Sequence, residues 1–103
     1  WALVELHGKQ FVTFGGLLAM AHERGLLSLK AEFITVTSEL ALAHAVATFA
    51  DGRRFEESGD ATPANVGKKV ALHWRRLALT RAKSRVLRDA LNIDMVSVEE
   101  LDV

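Results

Sequence analysis

Cysteine is absent from the 103 residues, which excludes a disulfide framework and thiolate metal sites and fits a reducing compartment. Proline occurs once, at Pro63, so long stretches carry no helix breaker of that kind. No apolar run approaches the roughly 20 residues that cross a bilayer, and no charged segment followed by an apolar one opens the chain. Neither a membrane span nor a secretory leader is therefore expected, and the expected location is the cytoplasm. Internal repeats and low-complexity segments are lacking too. Among His7, His22, His44 and His73 no two stand four residues apart, which removes the spacing of a helical zinc site. The stretch GDATPANVGKK fails as a phosphate-binding loop, because Thr62 stands in place of its first glycine and Lys69 in place of its magnesium-binding hydroxyl. ATP hydrolysis is not expected, and no cofactor is.

What is present points to one folded unit. Half the residues are hydrophobic and a quarter charged, over a length that suits a single core spanning 1–103. WALVEL and QFVTF flank HGK, which predicts a hairpin within 1–14 with Gly8 in its turn. Leu17, Leu18, Met20 and Ala21 recur at helical spacing and Gly25 supplies a stop, so GGLLAMAHERG reads as a short helix. LKAEFITVT is rich in β-branched residues and reads as a strand. Asp51-Gly52 suits a type I′ turn joining Leu40–Ala50 to Arg53–Ser58, and the first of these strands, nearly continuous in small apolar residues, suits a central position covered on its faces. Thr62 as a cap and Pro63 at the first helical position then open a helix expected to run about 29 residues, some 43 Å, to Leu91. The acidic tail, 93–103, ends in an apolar alternation that fits a strand or one helical turn. The predicted class is α+β: a β-hairpin, a short helix, a three-stranded antiparallel sheet and one long C-terminal helix packed on the sheet, with 15–92 as the core.

A formal net charge of zero hides a segregation. Between Pro63 and Asn92 lie Lys68, Lys69, Arg75, Arg76, Arg81, Lys83, Arg85 and Arg88 against the single acid Asp89, a net of +7; the remainder holds five bases and twelve acids, a net of −7. Arg81, Arg85 and Arg88 fall at i, i+4 and i+7 and form a stripe, continued toward the N-terminus by Ala78, Trp74 and Val70. Lys69, Arg76 and Lys83 recur at intervals of seven on another side, and Leu72, Leu79 and Val86 on a third. Apolar residues on two separated sides exceed what one sheet face can bury, which predicts a neighbouring subunit as cover. A solvated helix face usually alternates its charges, whereas bases with almost no acids call for an anion; the helix is expected to be an uncovered cationic rail. Phe33, Phe49, Phe55 and Trp74 offer faces for base stacking, although at least three of them are expected in the core.

The segment from Gly15 to Asn92, about three quarters of the chain, resembles the Rad-fifty-two/DdrA-like family of single-strand annealing proteins. The likeness is carried by GLLAMAHERG in the first helix, AVATFADGRRFEESGDA across the hairpin and TRAKSRVLRDALN in the long helix. It implies a ring-forming, nucleoid-associated, non-enzymatic protein that holds single-stranded DNA in a basic groove and anneals complementary strands without ATP. Arg85 and Arg88 match the family's basic positions. Ser84 stands where a lysine is often found and Gly16 where an arginine often precedes the first helix. These departures remove or redistribute the inner DNA contact, with Arg81, Lys83, Arg53 and Arg54 as candidates to take it over and the Gly15 and Gly16 N–H groups as a further phosphate contact. The full set of expected DNA-binding residues is Arg53, Arg54, Lys68, Lys69, Arg76, Arg81, Lys83, Arg85 and Arg88.

Two other readings follow from the same residues. A self-assembling scaffold would pair the basic helix with the acidic surface of a neighbouring subunit and ignore nucleic acid. A magnesium nuclease would use Glu56, Glu57 or Asp60. Consecutive Glu56 and Glu57 point to opposite faces of a strand, so solvated edge charges are the preferred account of them.

Overall fold

The computed structural model describes residues 3–65 and 73–101, and its elements follow the expected order. Strands β1 (Leu3–Leu6) and β2 (Lys9–Val12) pair antiparallel about His7-Gly8. Both turn residues have positive φ, 53° and 77°, as a two-residue type I′ turn requires. Helix α1 (Phe14–Glu23) begins at Thr13, whose Oγ1 accepts a hydrogen bond from the Gly16 N–H at 3.0 Å, and gives way at Gly25 with φ +90°.

The main sheet has the order β3 (Leu26–Val36), β4 (Ala41–Phe49), β5 (Arg54–Ala61), antiparallel throughout. Strand β4 is central as expected but covered on one face only. Ala41, Ala43, Ala45, Ala47 and Phe49 are buried, whereas Leu42, His44, Val46 and Thr48 alternate with them on a partly open face. The β4–β5 connection also differs from the predicted type I′ turn. Asp51 keeps negative φ, the Gly52 N–H donates to the Phe49 carbonyl at 3.0 Å, and only Gly52, at φ +93°, enters the left-handed region. That is a type I turn closed by a glycine bulge, with the Asp51 carboxylate accepting from the Arg53 N–H at 3.0 Å.

Helix α2 (Trp74–Leu91) lies across the covered face. It is shorter than predicted: Pro63–Asn65 forms a separate 3₁₀ turn, the described α-helix starts at Trp74, and its 18 residues span about 27 Å. The absence of an internal breaker permits a continuous helix but does not compel one. Small residues let α2 sit close to the sheet. A methyl group added at Gly59 would lie 2.9 Å from the Arg81 carbonyl carbon and closer still to the Ala78 oxygen and the Ala82 nitrogen. Ala78 and Ala82 are themselves fully buried there.

At its C-terminus α2 stops on Asn92, in the left-handed region (φ 57°, ψ 49°), with the Ile93 N–H donating to the Arg88 carbonyl at 2.9 Å. The chain then folds back along α2. Ile93 and Met95 pack on the core, the Val12 N–H donates to the Val96 carbonyl at 3.1 Å, and Ser97 makes a parallel bridge to Val12. A 3₁₀ turn, Val98–Glu100, completes the tail, so the helical-turn alternative is realised with one isolated bridge before it. Val86, Leu87 and Leu91 are buried in one cluster with Val12, Leu17 and Ala21. Of the second apolar side Val86 is thus buried and Leu79 half-buried within the chain, so these two need no neighbouring subunit as cover, while Leu72, like Val70 of the first side, lies outside the described residues.

Candidate nucleic-acid interface

The arginine stripe is fixed by the chain that folds over it. Arg81 donates from Nε to the Glu100 carbonyl (2.9 Å) and from Nη1 to the Asp60 carbonyl (2.8 Å). Arg85 donates from Nη1 to the Ser58 carbonyl (3.1 Å) and approaches Asp60 Oδ1 at 3.5 Å and Glu100 Oε1 at 3.8 Å. Arg88 donates from Nη2 to Glu100 Oε1 at 2.7 Å, and its Nε is buried without a partner. The Glu100 side chain is only 5 % exposed; its Oε2 accepts from the Ser97 N–H at 2.8 Å in a capping box. Beneath it the Ser84 and Ser97 hydroxyls hydrogen-bond at 2.9 Å, both fully buried. The expected open rail is therefore partly roofed: the Arg88 side chain is 18 % exposed and that of Arg85 37 %.

Positive charge nevertheless survives. Arg75 donates from Nε and Nη2 to the Thr37 carbonyl at 3.2 and 3.0 Å, and Arg85 donates to the Ser58 carbonyl while the Asp60 and Glu100 carboxylates stand farther off, at 3.5 and 3.8 Å. A carbonyl orients a guanidinium without cancelling its charge. Asp89, the sole acid of α2, is held above its ordinary carboxylate value by partial burial and by sharing a hydrogen bond with Glu57. Glu57 is correspondingly lowered, first by that hydrogen bond and then by the Ser58 N–H.

On its other side α2 presents Arg76, exposed, and Lys83, half-buried with its ammonium 5.5 Å from the centroid of the Phe14 ring. Among the described residues neither has a carboxylate at ion-pair distance. Beside Lys83 lies a groove of about 280 Å³ lined by Phe14, Leu18, His22, Leu26, Leu27 and Leu29. The hairpin arginines lie elsewhere. Arg53 packs against Phe49 and Phe55 at 5.4 and 5.6 Å and pairs with Asp51 at 2.7 Å; Arg54 pairs with Glu56 at 2.6 Å. Glu56 also meets His44 at 2.7 Å, the contact that chiefly lowers its pKa, while Asp51 is lowered first by the Arg53 N–H. These pairs are exposed, weak and screened by salt. Lys68 and Lys69 lie outside the described residues.

At the start of α1 two N–H groups are already taken, that of Gly16 by Thr13 and that of Phe14 by Glu99 Oε1 at 2.7 Å. The open sheet face carries a larger concavity than the groove beside Lys83, about 660 Å³, lined by Ser28, Lys30, Glu32, His44, Val46, Thr48 and Arg54 among others. Its charges alternate in sign, which does not suit a polyanion. Glu56 and Glu57 point to opposite faces, and no group of three potential metal ligands forms among the described residues. Phe49 and Trp74 are buried and Phe55 half-buried, whereas Phe33 is exposed. Sequence reasoning missed the part played by Glu100, although Ser97 and Glu100 stand at capping-box spacing, and it missed Phe14 beside Lys83, which only the packing of α1 on α2 brings together. Comparison with protein-family models, curated proteins and solved structures finds no match for the chain.

Proposed function

We propose that the chain binds single-stranded DNA and promotes ATP-independent annealing of complementary strands in repair or recombination, as a homo-oligomer of ring form. The observation that carries this reading is the charge of α2: six cations on 18 residues, three of them donating to backbone carbonyls, against a single acid. Such a surface attracts phosphates by counterion release and is indifferent to sequence. A strand held by its backbone keeps its bases available to test a second strand, and assembly multiplies weak contacts along one polymer. Arg75, Arg76, Lys83 and Arg85 are the accessible contacts on α2, and Arg81 and Arg88 shape the surface from below, whereas Arg53 and Arg54 are taken up by Asp51 and Glu56.

Fluorescence titration of single-stranded against double-stranded DNA at two salt concentrations tests the proposal. About five phosphate contacts per subunit give a log–log salt slope near −3.5, at roughly −0.7 per contact. Binding that ignores both strandedness and salt sinks the reading. A second reading, the self-assembling scaffold, is favoured by one observation: Leu27, Phe33, Ile34 and Val36 are exposed on β3, an edge strand. A protein that assembles by mass measurement yet leaves DNA unbound would establish it instead.

A further inference from the structure

We infer that the groove between α1 and the start of β3 receives one nucleobase of the bound strand, with Lys83 on the adjoining phosphate; this rests on the single-stranded DNA reading and assigns that strand a base-binding slot. The groove has a volume of about 280 Å³, apolar walls from Phe14, Leu18, Leu26 and Leu29, and polar groups, His22 and Lys83, among its lining residues. The Lys83 ammonium stands 5.5 Å from the Phe14 ring centroid, and no carboxylate among the described residues pairs with it. A cation left unneutralised beside an aromatic and aliphatic slot fits a nucleotide, a flat ring tethered to an anion. An aliphatic side chain from a second copy would fill the slot but leave the ammonium without a counter-charge. Arg76, one Lys83 interval of seven earlier on α2, gives the next phosphate a contact on the same side of the helix. The open sheet face is larger, yet its Lys30 and Arg54 are interleaved with Glu32 and Glu56, so it has no comparable claim on a polyanion.

The test compares a labelled oligothymidylate with a strand of equal length whose sugars carry no bases, both titrated by fluorescence anisotropy. The wild-type protein is expected to bind the base-bearing strand about tenfold more tightly, within the range that stacking on one aromatic residue supplies. Phe14→Ala should abolish that difference while retaining affinity for the abasic strand. Because Phe14 also packs on the core, Leu27→Glu serves as a second variant: Leu27 is 70 % exposed, so the fold should survive, while a carboxylate at the groove should weaken both strands by repelling phosphate. Equal wild-type affinity for the two strands overturns the slot and leaves the proposed function standing. No binding of either strand overturns both. A change of oligomeric mass in Leu27→Glu, with the preference for bases intact, assigns the groove to a second copy and overturns the slot.

Discussion

Gly59 shows how little tolerance the sheet and helix leave at single positions. A methyl group there meets backbone atoms of Ala78, Arg81 and Ala82, none of which can rotate away, so Gly59→Ala is expected to cost about 3 kcal/mol or to push α2 off the sheet. Chemical denaturation measures the loss; an unchanged midpoint would refute the close approach. Glu100 is equally constrained for the opposite reason. Replacing it with Gln leaves the Arg88 guanidinium, already carrying one unpartnered Nε, as a largely buried charge without its carboxylate. A loss of about 3–5 kcal/mol is expected, read from the same denaturation curves. Asp89 makes a pH statement. Its folded-state pKa is raised, so its contribution is complete below the unfolded value and fades as pH climbs through the folded one; Glu57, lowered, contributes in the opposite sense, losing its share as pH falls through its folded value. Asp89→Asn keeps a donor toward Glu57 at every pH and removes a negative charge near the helix C-terminus. Its melting temperature should exceed the wild type's at neutral pH, with the gap closing in acid; a gap that widens in acid would contradict the shared hydrogen bond.

At the level of the element, α2 divides its cations between two tasks. Arg81 and Arg88 bind the β5 edge and the tail, whereas Arg76 and Lys83 have no acidic partner among the described residues. Removing the second pair tests binding without disturbing the fold. Arg76→Ala with Lys83→Ala should weaken unrelated single strands alike and shrink the salt slope by about 1.4, two contacts at roughly 0.7 each. An unaltered slope would take both residues out of the interface. Asn92 ends the helix in a conformation that a β-branched residue resists, so Asn92→Val is expected to cost about 1–2 kcal/mol and to loosen the tail that follows. Hydrogen exchange at the Ser97 N–H, bonded to Glu100, would report that loosening.

For the whole molecule, the order of elements was legible because each rests on a local signal: Gly8 and Gly52 in turns, Gly25 after a helix, a run of small apolar residues along β4 whose one-sided burial only the structure shows. The length of α2 was not, since propensity alone does not say where a helix begins. Nor was the roof over the arginines. Its local half, the Ser97–Glu100 capping box, is written in adjacent residues, but the contact with Arg88 depends on how Asn92 aims the chain. Lys83 beside Phe14 is likewise a meeting of distant segments. Between Phe14 and Glu99, 85 positions apart and joined at 2.7 Å, lies most of the polypeptide. Biosynthesis inherits a constraint from this stitch: a nascent chain arrested at Asn92 holds every basic residue of α2 yet has not sealed Ser84. Chains truncated at Asn92 should be cut by protease where those that run on through Glu100 resist.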